Sequence, residues 1–484
     1  MKARVLATLT AEENRKWITL AAVSFGLFMI MLDNTVVNVA LPTMQRDLHV
    51  SVSQLEWVVI AYALTFASLL ITGGKLGDLY GRRRIFVLGL AIFTASSLAC
   101  GLASSAGFLI GARAVQGVGA ALMNPASLSI IVATFPPKLR GTAIGIWAGV
   151  SALALAIGPL GGGLIVENLN WNWIFFVNVP VGILGIVVSQ YAIRESRDTS
   201  REQSIDLPGL VTSIGFLFSL SYALVEGNSH GWTSPEILGL FALAAVLLVA
   251  FVVVEKRQRL AMLDLSLFKI GSFTGANIVA MLVSLSMFGV FFFVSLYIQN
   301  ILGYSATQAG AAFLPMVTLI ILIAPIAGRL SDRVGSRWLM GGGMSLVAIS
   351  LLLYERVTVH STFWTLLPSM ILGGVGMAMT MSPMTSAAMG AVPVDKAGVG
   401  SGVLNSFRQV GGSLGIAVMG AIVASYLPAH VNPASPAAAQ GFVNGLHAGF
   451  AVGGVIAFAA AVVAVVMVRT KPEVVSEHIA ELAA

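Results

Sequence analysis

Charge is scarce in this sequence. Of 484 residues only 10% are Asp, Glu, Lys or Arg, where a soluble protein carries about 25%. A chain this long could bury a large core, but it could not coat that core with so few charges, so water is excluded as its main solvent. Cysteine is rarer still. The single Cys100 sits in an apolar run and excludes an intrachain disulfide or a Cys-based metal cluster. Six scattered histidines give no zinc spacing, so no metal is expected. No Gly-x-x-x-x-Gly-Lys-Ser/Thr loop occurs, which excludes an ATP engine of that kind. The loose glycines Gly398, Gly400 and Gly402 lie in an apolar helix and form no dinucleotide fingerprint, and no cofactor is expected. His, Asp and Ser groups do not cluster at one depth as they do in membrane-embedded enzymes, so an enzyme is not expected.

What the chain has instead is apolar length: 57% of its residues are hydrophobic. A membrane helix needs roughly 20 mostly apolar residues. Such runs occur near 18–41, 54–74, 85–103, 106–132, 141–165, 172–192, 207–226, 235–254, 272–298, 306–328, 338–354, 362–385, 397–426 and 443–468, which makes fourteen. They leave short loops and no room for a soluble domain. The first run is too long for a signal peptide, contains Asp33 and lacks a convincing cleavage site, so it is expected to be retained.

Lys and Arg in short loops set orientation. With the N-terminus inside, the inner segments hold Lys75, Arg82, Arg83, Arg84, Lys138, Arg140, Arg194, Arg197, Arg201, Lys256, Arg257, Arg259, Lys269, Arg329, Arg333, Arg337, Lys396, Arg469 and Lys471. The outer loops hold only Arg46 and Arg356. Both termini are therefore expected in the cytoplasm. The same arrangement disposes of a nucleic-acid reading of the +6 net charge: the basic residues mark the inner membrane face.

The chain also repeats itself. Gly74-Lys-Leu-Gly-Asp78-Leu-Tyr-Gly81-Arg-Arg83 returns as Gly328-Arg-Leu-Ser-Asp332-Arg-Val-Gly335-Ser-Arg337, displaced by 254 residues. Gly117-Val-Gly119 returns as Gly374-Val-Gly376, and Gly141 and Gly158 as Gly398 and Gly415, all displaced by 257. The second through fifth spans thus recur as the tenth through thirteenth. The implied organisation is a six-helix half over 1–194, a linker with two inserted spans over 195–262, and a second six-helix half over 263–484, repeated in parallel. Transporters built this way hold substrate between the halves near the midplane and alternate its access by rocking.

These residues carry a family resemblance. The chain resembles fourteen-helix members of the major facilitator superfamily, of the drug:proton antiporter type that includes quaternary-ammonium and multidrug exporters. Leu32-Asp33-Asn-Thr-Val-Val-Asn38-Val-Ala-Leu-Pro42 resembles that subfamily's first-helix signature. Gly74 to Arg84 is similar to the loop motif of the superfamily, and Arg113-Ala-Val-Gln116-Gly117-Val-Gly119 to the fourth-helix motif. Gly158-Pro159-Leu-Gly161-Gly162 resembles the fifth-helix antiporter motif, and Trp171-Asn-Trp173-Ile-Phe-Phe-Val-Asn178-Val-Pro180 the start of the sixth helix. The resemblance implies an all-α polytopic fold of two six-helix halves plus two inserted helices. One departure is plain: some relatives carry further acids in the tenth or thirteenth helix, and here both interiors lack them.

Asp33 is the only acid well inside an apolar run. A carboxylate there costs a few kcal/mol or more, and protonation relieves it. Raising an Asp from about 3.9 to near 7 takes about 4 kcal/mol, which burial can provide. Asp33 is thus a candidate proton carrier, its bland alternative being a neutral acid held by Asn34, Asn38 or backbone. Arg113 lies at a matching depth, about 10–12 Å below the outer surface at 1.5 Å per residue, so contact between the two is possible. The resemblance implies that Arg113 helps control proton exchange; a structural ion pair is the alternative. Gly74, Asp78, Gly81, Arg82 and Arg83, with Asp332 and Arg333 in the second half, are candidates for conformational gating, against a merely topogenic basic loop. Gly158, Pro159, Gly161 and Gly162 suggest a thin, bendable fifth helix that seals or hinges, against ordinary helix packing.

The candidate substrate residues are Phe28, Asn34, Asn38, Trp57, Tyr62, Gln116, Phe288, Phe292, Met381, Asn405 and Arg408. The aromatic groups could hold a flat cation by cation–π contact, and Met377, Met379, Met381 and Met384 could make an adaptable wall. For each, lipid contact or core packing is the competing account. Arg408 has no acidic neighbour in its own span; contact with carbonyls, contact with substrate and packing between the halves all remain open. Glu56 and Glu226, near outer helix ends, either attract cations or are solvated boundary charges. The function expected is proton-coupled export of lipophilic, cationic drugs or toxic compounds by alternating access, by a monomer in the cell membrane. With one deep acid, exchange of one proton for one monovalent cation would be electroneutral. The alternative is export of one metabolite, antibiotic, siderophore or lipid.

Overall fold

The computed structural model describes residues 12–48, 52–197, 206–258, 261, 263–427 and 435–469. Arg201, Arg259 and Lys471, which contribute to the orientation argument, lie outside them, as do the side chains of Asn38, Arg46, Glu56 and Pro159. The described residues form helices and connecting turns. In chain order the α-helices are α1 Glu12–Leu48, α2 Val52–Tyr80, α3 Arg82–Gly101, α4 Ala106–Thr134, α5 Pro137–Asn168, α6 Trp173–Phe176, α7 Asn178–Ala192, α8 Leu207–His230, α9 Pro235–Arg257, α10 Gly271–Asn300, α11 Ala306–Ala312, α12 Leu314–Val334, α13 Ser336–Leu353, α14 Phe363–Gly390, α15 Ala397–Tyr426 and α16 Pro436–Met467.

Thirteen spans among the described residues are long and apolar enough to cross a membrane. The remaining expected span coincides with α5, a continuous 32-residue helix. Helices are what a bilayer demands, because no water is there to satisfy an open backbone. The sixth span is divided at Val177 into α6 and α7, and the tenth at Phe313 into α11 and α12. Each break precedes a proline, Pro180 or Pro315, which has no N–H to continue the ladder. Helix starts carry their own signals: Ser105, Asp206, Ser234, Ser305 and Ser435 accept from the first-turn amides, and Pro137, Pro208, Pro235 and Pro436 sit in the first turns.

The repeat seen in the sequence is a repeat of contacts. A Cβ added to Gly119 would run into the backbone of Gly89 and Phe93, binding α3 to α4; one added to Gly376 would meet Gly343 and Val347, binding α13 to α14 in the same way. The halves meet through two further equivalent crossings. Gly74 of α2 lies against the backbone of Gly398 of α15, and Gly328 of α12 against that of Gly141 of α5. The turn glycines of the repeated motif also correspond, Gly81 at φ 113° and Gly335 at φ 86°, a conformation that side-chain-bearing residues rarely adopt.

The inserted pair lies at one flank. α8 packs on both α2 and α15, and α9 packs on α8. Leu238, Leu243, Val246, Val249 and Val253 of α9 are exposed, which is the surface expected of a helix against lipid. Because the α3–α4 and α13–α14 crossings leave no room for side chains, Gly119→Leu and Gly376→Leu should each destabilise the protein by about 1–3 kcal/mol. Thermal unfolding in detergent would measure this, and a leucine at exposed Gly107, which has open space beside it, should be silent.

Candidate functional site

The acid of the first span and the arginine of the fourth meet. Asp33 on α1 is 3% exposed, Arg113 on α4 1% and Gln116 0%. Arg113 Nη1 donates to Asp33 Oδ2 at 2.5 Å and to Gln116 Oε1 at 2.8 Å, and Gln116 Nε2 donates to Asp33 Oδ1 at 3.0 Å. Both carboxylate oxygens are thereby engaged in a closed triangle. Arg113 Nε donates to the Val58 carbonyl of α2 at 3.1 Å, which ties the cluster to a third helix. The guanidinium lies 4.3 Å from the Tyr62 ring centre and 5.8 Å from that of Phe175. The Cys100 thiol points to Gln116 Oε1 at 3.7 Å. A hydrogen-bonded pair of this kind holds its charges where neither alone is tolerable.

A second polar cluster closes the end of the bundle that carries the basic loops. Asp78 at the end of α2 accepts from the amides of Gly398 and Val399, both at 2.9 Å. It caps the first turn of α15 in the opposite half, where a carboxylate also meets the positive end of the helix dipole. Arg82 donates to Asp78 Oδ1 at 2.8 and 3.1 Å. It continues to the carbonyls of Val394 and Asp395 across the interface. Glu195, after α7, accepts from the amides of Arg83 and Arg84 and so caps α3. In the repeated copy Asp332 accepts from the Gly141 amide at 3.2 Å, and Ser382 donates to the Gly141 carbonyl at 3.2 Å. No arginine completes this copy. Ser336, at the position equivalent to Arg82, bonds Ser331 instead, and Arg333 is exposed. Of the two gating candidates in this copy, Asp332 reaches the opposite half and Arg333 faces outward from the protein. Nearby, Lys396 donates to Asp264 at 3.1 Å. Partial burial opposes the Asp264 charge, yet hydrogen bonds from Ser266 and Lys396 outweigh it and hold the carboxyl below the usual range.

The other candidates separate. Tyr62 and Gln116, expected on a substrate surface, are in the ion-pair cluster. Phe288 and Phe292 are 41% and 48% exposed, and Trp57 packs 5.8 Å from Tyr222 of α8. Phe28 is half-buried and stacks on Phe25. Asn34 donates to the Ile30 carbonyl and Asn405 to that of Ser401. Met381 is half-buried, whereas Met384 is in the core. Gly158 packs against Thr35 and Gly162 against Val36, so α5 lies close along α1 near Asp33; Gly161 has a looser neighbour. Glu226 is buried and sits 3.1 Å from His230, which is a different environment from a solvated boundary charge. Residue chemistry alone did not reveal the part of Glu195. Its signal in the sequence was only that it is the first acid after the sixth span, followed closely by Asp198 and Glu202.

The Major Facilitator Superfamily model matches residues 23–416 and 276–482. The chain belongs to the major facilitator superfamily. Among relatives in this superfamily, the puromycin resistance protein pur8 of Streptomyces alboniger is 37% identical over 97% of this chain and 95% of its own. The multidrug resistance protein Stp of Mycobacterium tuberculosis (strain CDC 1551 / Oshkosh) is 36% identical over 86% and 77%. The tetracenomycin C resistance and export protein of Streptomyces glaucescens is 36% identical over 85% and 76%. Two solved major facilitator structures share the fold. The human organic anion transporter MFSD10 aligns with TM-score 0.64 at 14% identity, over 93% of this chain and 99% of its own. The proton:xylose symporter XylE aligns with TM-score 0.63 at 15% identity, over 93% and 95%. This is a multi-pass membrane protein of a transporter family.

In this major facilitator protein, removing one member of the buried pair leaves the other uncompensated. Arg113→Ala should cost about 3–5 kcal/mol, read as a lowered melting temperature in detergent. Adding Asp33→Asn to it should restore most of the loss, because the stranded charge is gone; a double variant no better than Arg113→Ala would contradict this account.

Proposed function

We propose that this protein is a proton-coupled exporter of lipophilic compounds that works by alternating access, as a monomer, in the cytoplasmic membrane with both termini inside. The observation that carries the reading is the buried Asp33–Arg113–Gln116 triangle, an acid and a base that hold each other inside the bundle. Protonating Asp33 removes the charge that holds Arg113. The triangle then opens, α1 is released from α4, and water or substrate reaches the carboxyl. Re-ionisation rebuilds the pair. Proton occupancy and helix arrangement are thus alternative descriptions of one equilibrium, which is what coupling requires. The drive is the proton gradient, whose electrical part supplies about 2.3 kcal/mol per charge per 100 mV.

The second cluster fits as the inner gate. Among the described residues, the side-chain hydrogen bonds between the halves lie at the end with the basic loops: Asp78 and Arg82 to the start of α15, Asp332 and Ser382 to Gly141. In our reading this end is closed to the cytoplasm and the protein faces outward. Inward opening then breaks the capping bonds on α15 and α5, with Gly74, Gly81, Asp78, Arg82 and Arg83 setting how firmly the outward state is held. Gly158 and Gly162 seal α5 along α1.

The names of the relatives support export of drugs. They also favour a second reading, a single natural product as cargo, since several are named for one antibiotic such as puromycin or tetracenomycin C. A narrow substrate profile would select it. The cationic preference expected from the sequence needs an acid available to a cation; the deep acid here is engaged on both oxygens, so the proposal stands for lipophilic compounds without that restriction. Asp33→Asn should abolish pH-gradient-driven uptake of a fluorescent lipophilic compound into everted vesicles while the protein is produced at normal level. Undiminished uptake would remove Asp33 from the mechanism. Asp78→Asn should instead leave binding affinity within about twofold and slow turnover at least about tenfold, because its bonds are made in one state and broken in the other.

A further inference from the structure

One charge inside the bundle has no counterpart. Asp33 and Arg113 cancel, but Arg408 on α15 makes no hydrogen bond, ion pair or ring contact among the described residues. Its place on the helix is defined by its neighbours. Val399, Val403, Phe407 and Val410 form the apolar stripe that packs with residues of α8 and the segment before α10. Gly398 and Gly402 face α2, against Gly74 and Leu70. At 3.6 residues per turn, Arg408 points away from the apolar stripe, on the side that also carries Ser401, Asn405 and Gly412. Ser401 and Asn405 are buried. Arg408 is half-buried.

Its depth is equally defined. Gly402 lies against the Leu70 carbonyl of the opposite half, and Arg408 is six residues further out, roughly 9 Å along the axis. Beyond Gly402 the glycines of α15 change partner: Gly411 and Gly415 pack on Met281 and Leu285 of α10, within their own half. Arg408 therefore stands just outward of the close α2–α15 crossing, at the level where the close glycine contacts of α15 pass from the opposite half to α10. Packing does not account for a guanidinium there, since an apolar side chain of similar volume fills the place without desolvating a charge. A guanidinium offers five N–H donors in a planar fork that matches two oxygens of an acid.

We propose that Arg408 is the substrate-anchoring residue of the interior and selects lipophilic compounds that carry an oxyanion, a carboxylate or phenolate. This deepens the export reading given above and rests on it for direction of movement. Among the described residues Arg408 is an interior positive charge without a partner, so a cation beside it is repelled and an acid is drawn in. Exchange of one inward proton for one outward monoanion moves two charges in the same direction each cycle, so the membrane potential drives it more strongly than it drives export of a neutral compound.

The test uses full-length purified protein and three probes on one scaffold: pyrenebutyrate, its amide, and pyrenebutyl-trimethylammonium. Wild type should bind the carboxylate at least about tenfold more tightly than either analogue. Arg408→Gln should erase that preference while amide affinity and melting temperature stay unchanged, and Arg408→Lys, which keeps the charge but loses the fork, should fall between. Equal binding of the three probes by wild type, or a preference for the ammonium, overturns the proposal. So does an Arg408→Gln protein that loses all three together with its thermal stability, the mark of a structural residue. If Arg408→Gln does not yield folded protein, Arg408→Lys decides: a loss shared equally by carboxylate and amide overturns the assignment, and a loss confined to the carboxylate supports it. In proteoliposomes, selective carboxylate binding without gradient-driven movement sinks the export reading and leaves the Arg408 assignment standing. Gradient-driven movement of the ammonium probe alone does the reverse.

Discussion

A charge in hydrocarbon must either find a partner or cease to be a charge, and this protein is arranged around that constraint. Asp33 and Arg113 satisfy it with each other, drawing in Gln116 for the second carboxylate oxygen and the Val58 carbonyl for the guanidinium Nε. Because those groups come from α1, α2 and α4, the bond that neutralises the acid also fixes the relative position of three helices. Chemistry and architecture are one interaction here.

The two halves solve a second problem by the same means. They are joined by few bonds, at positions where nothing else intervenes. The paired glycines bring backbone against backbone at Gly74–Gly398 and Gly141–Gly328, and carboxylates then reach the amides of the opposing helix starts. The duplication is imperfect. Asp78 has Arg82 behind it, Asp332 has no such support, and the joint at α2–α15 is the more heavily bonded of the two.

Much of this was legible in the residues. Scarcity made Asp33 and Arg113 conspicuous, their depths agreed, and the repeated motif fixed the pairing of α2–α5 with the tenth through thirteenth spans. Rotation of each helix was not legible. In a soluble helix the polar stripe marks the outside, but in a bilayer the outer face is as apolar as the core, so the sequence around Phe288 and Phe292 looks the same whichever way it turns. Tyr62 and Gln116 were recognised as interior without their partners, because choosing between cargo and ion pair needs angles between helices that no spacing supplies. The second copy of the loop motif shows the same limit: the position equivalent to Arg82 holds Ser336, and Arg333, one place after Asp332, is exposed.

The inserted pair gives the molecule two unlike flanks. α8 spans from α2 to α15 and so covers the seam between the halves on that side, with α9 outside it. The α5–α12 seam has no such cover among the described residues. That seam is closed by direct packing instead, Gly141 on Gly328 and Gly145 on Ala324, so one flank is sealed by an added helix and the other by backbone against backbone.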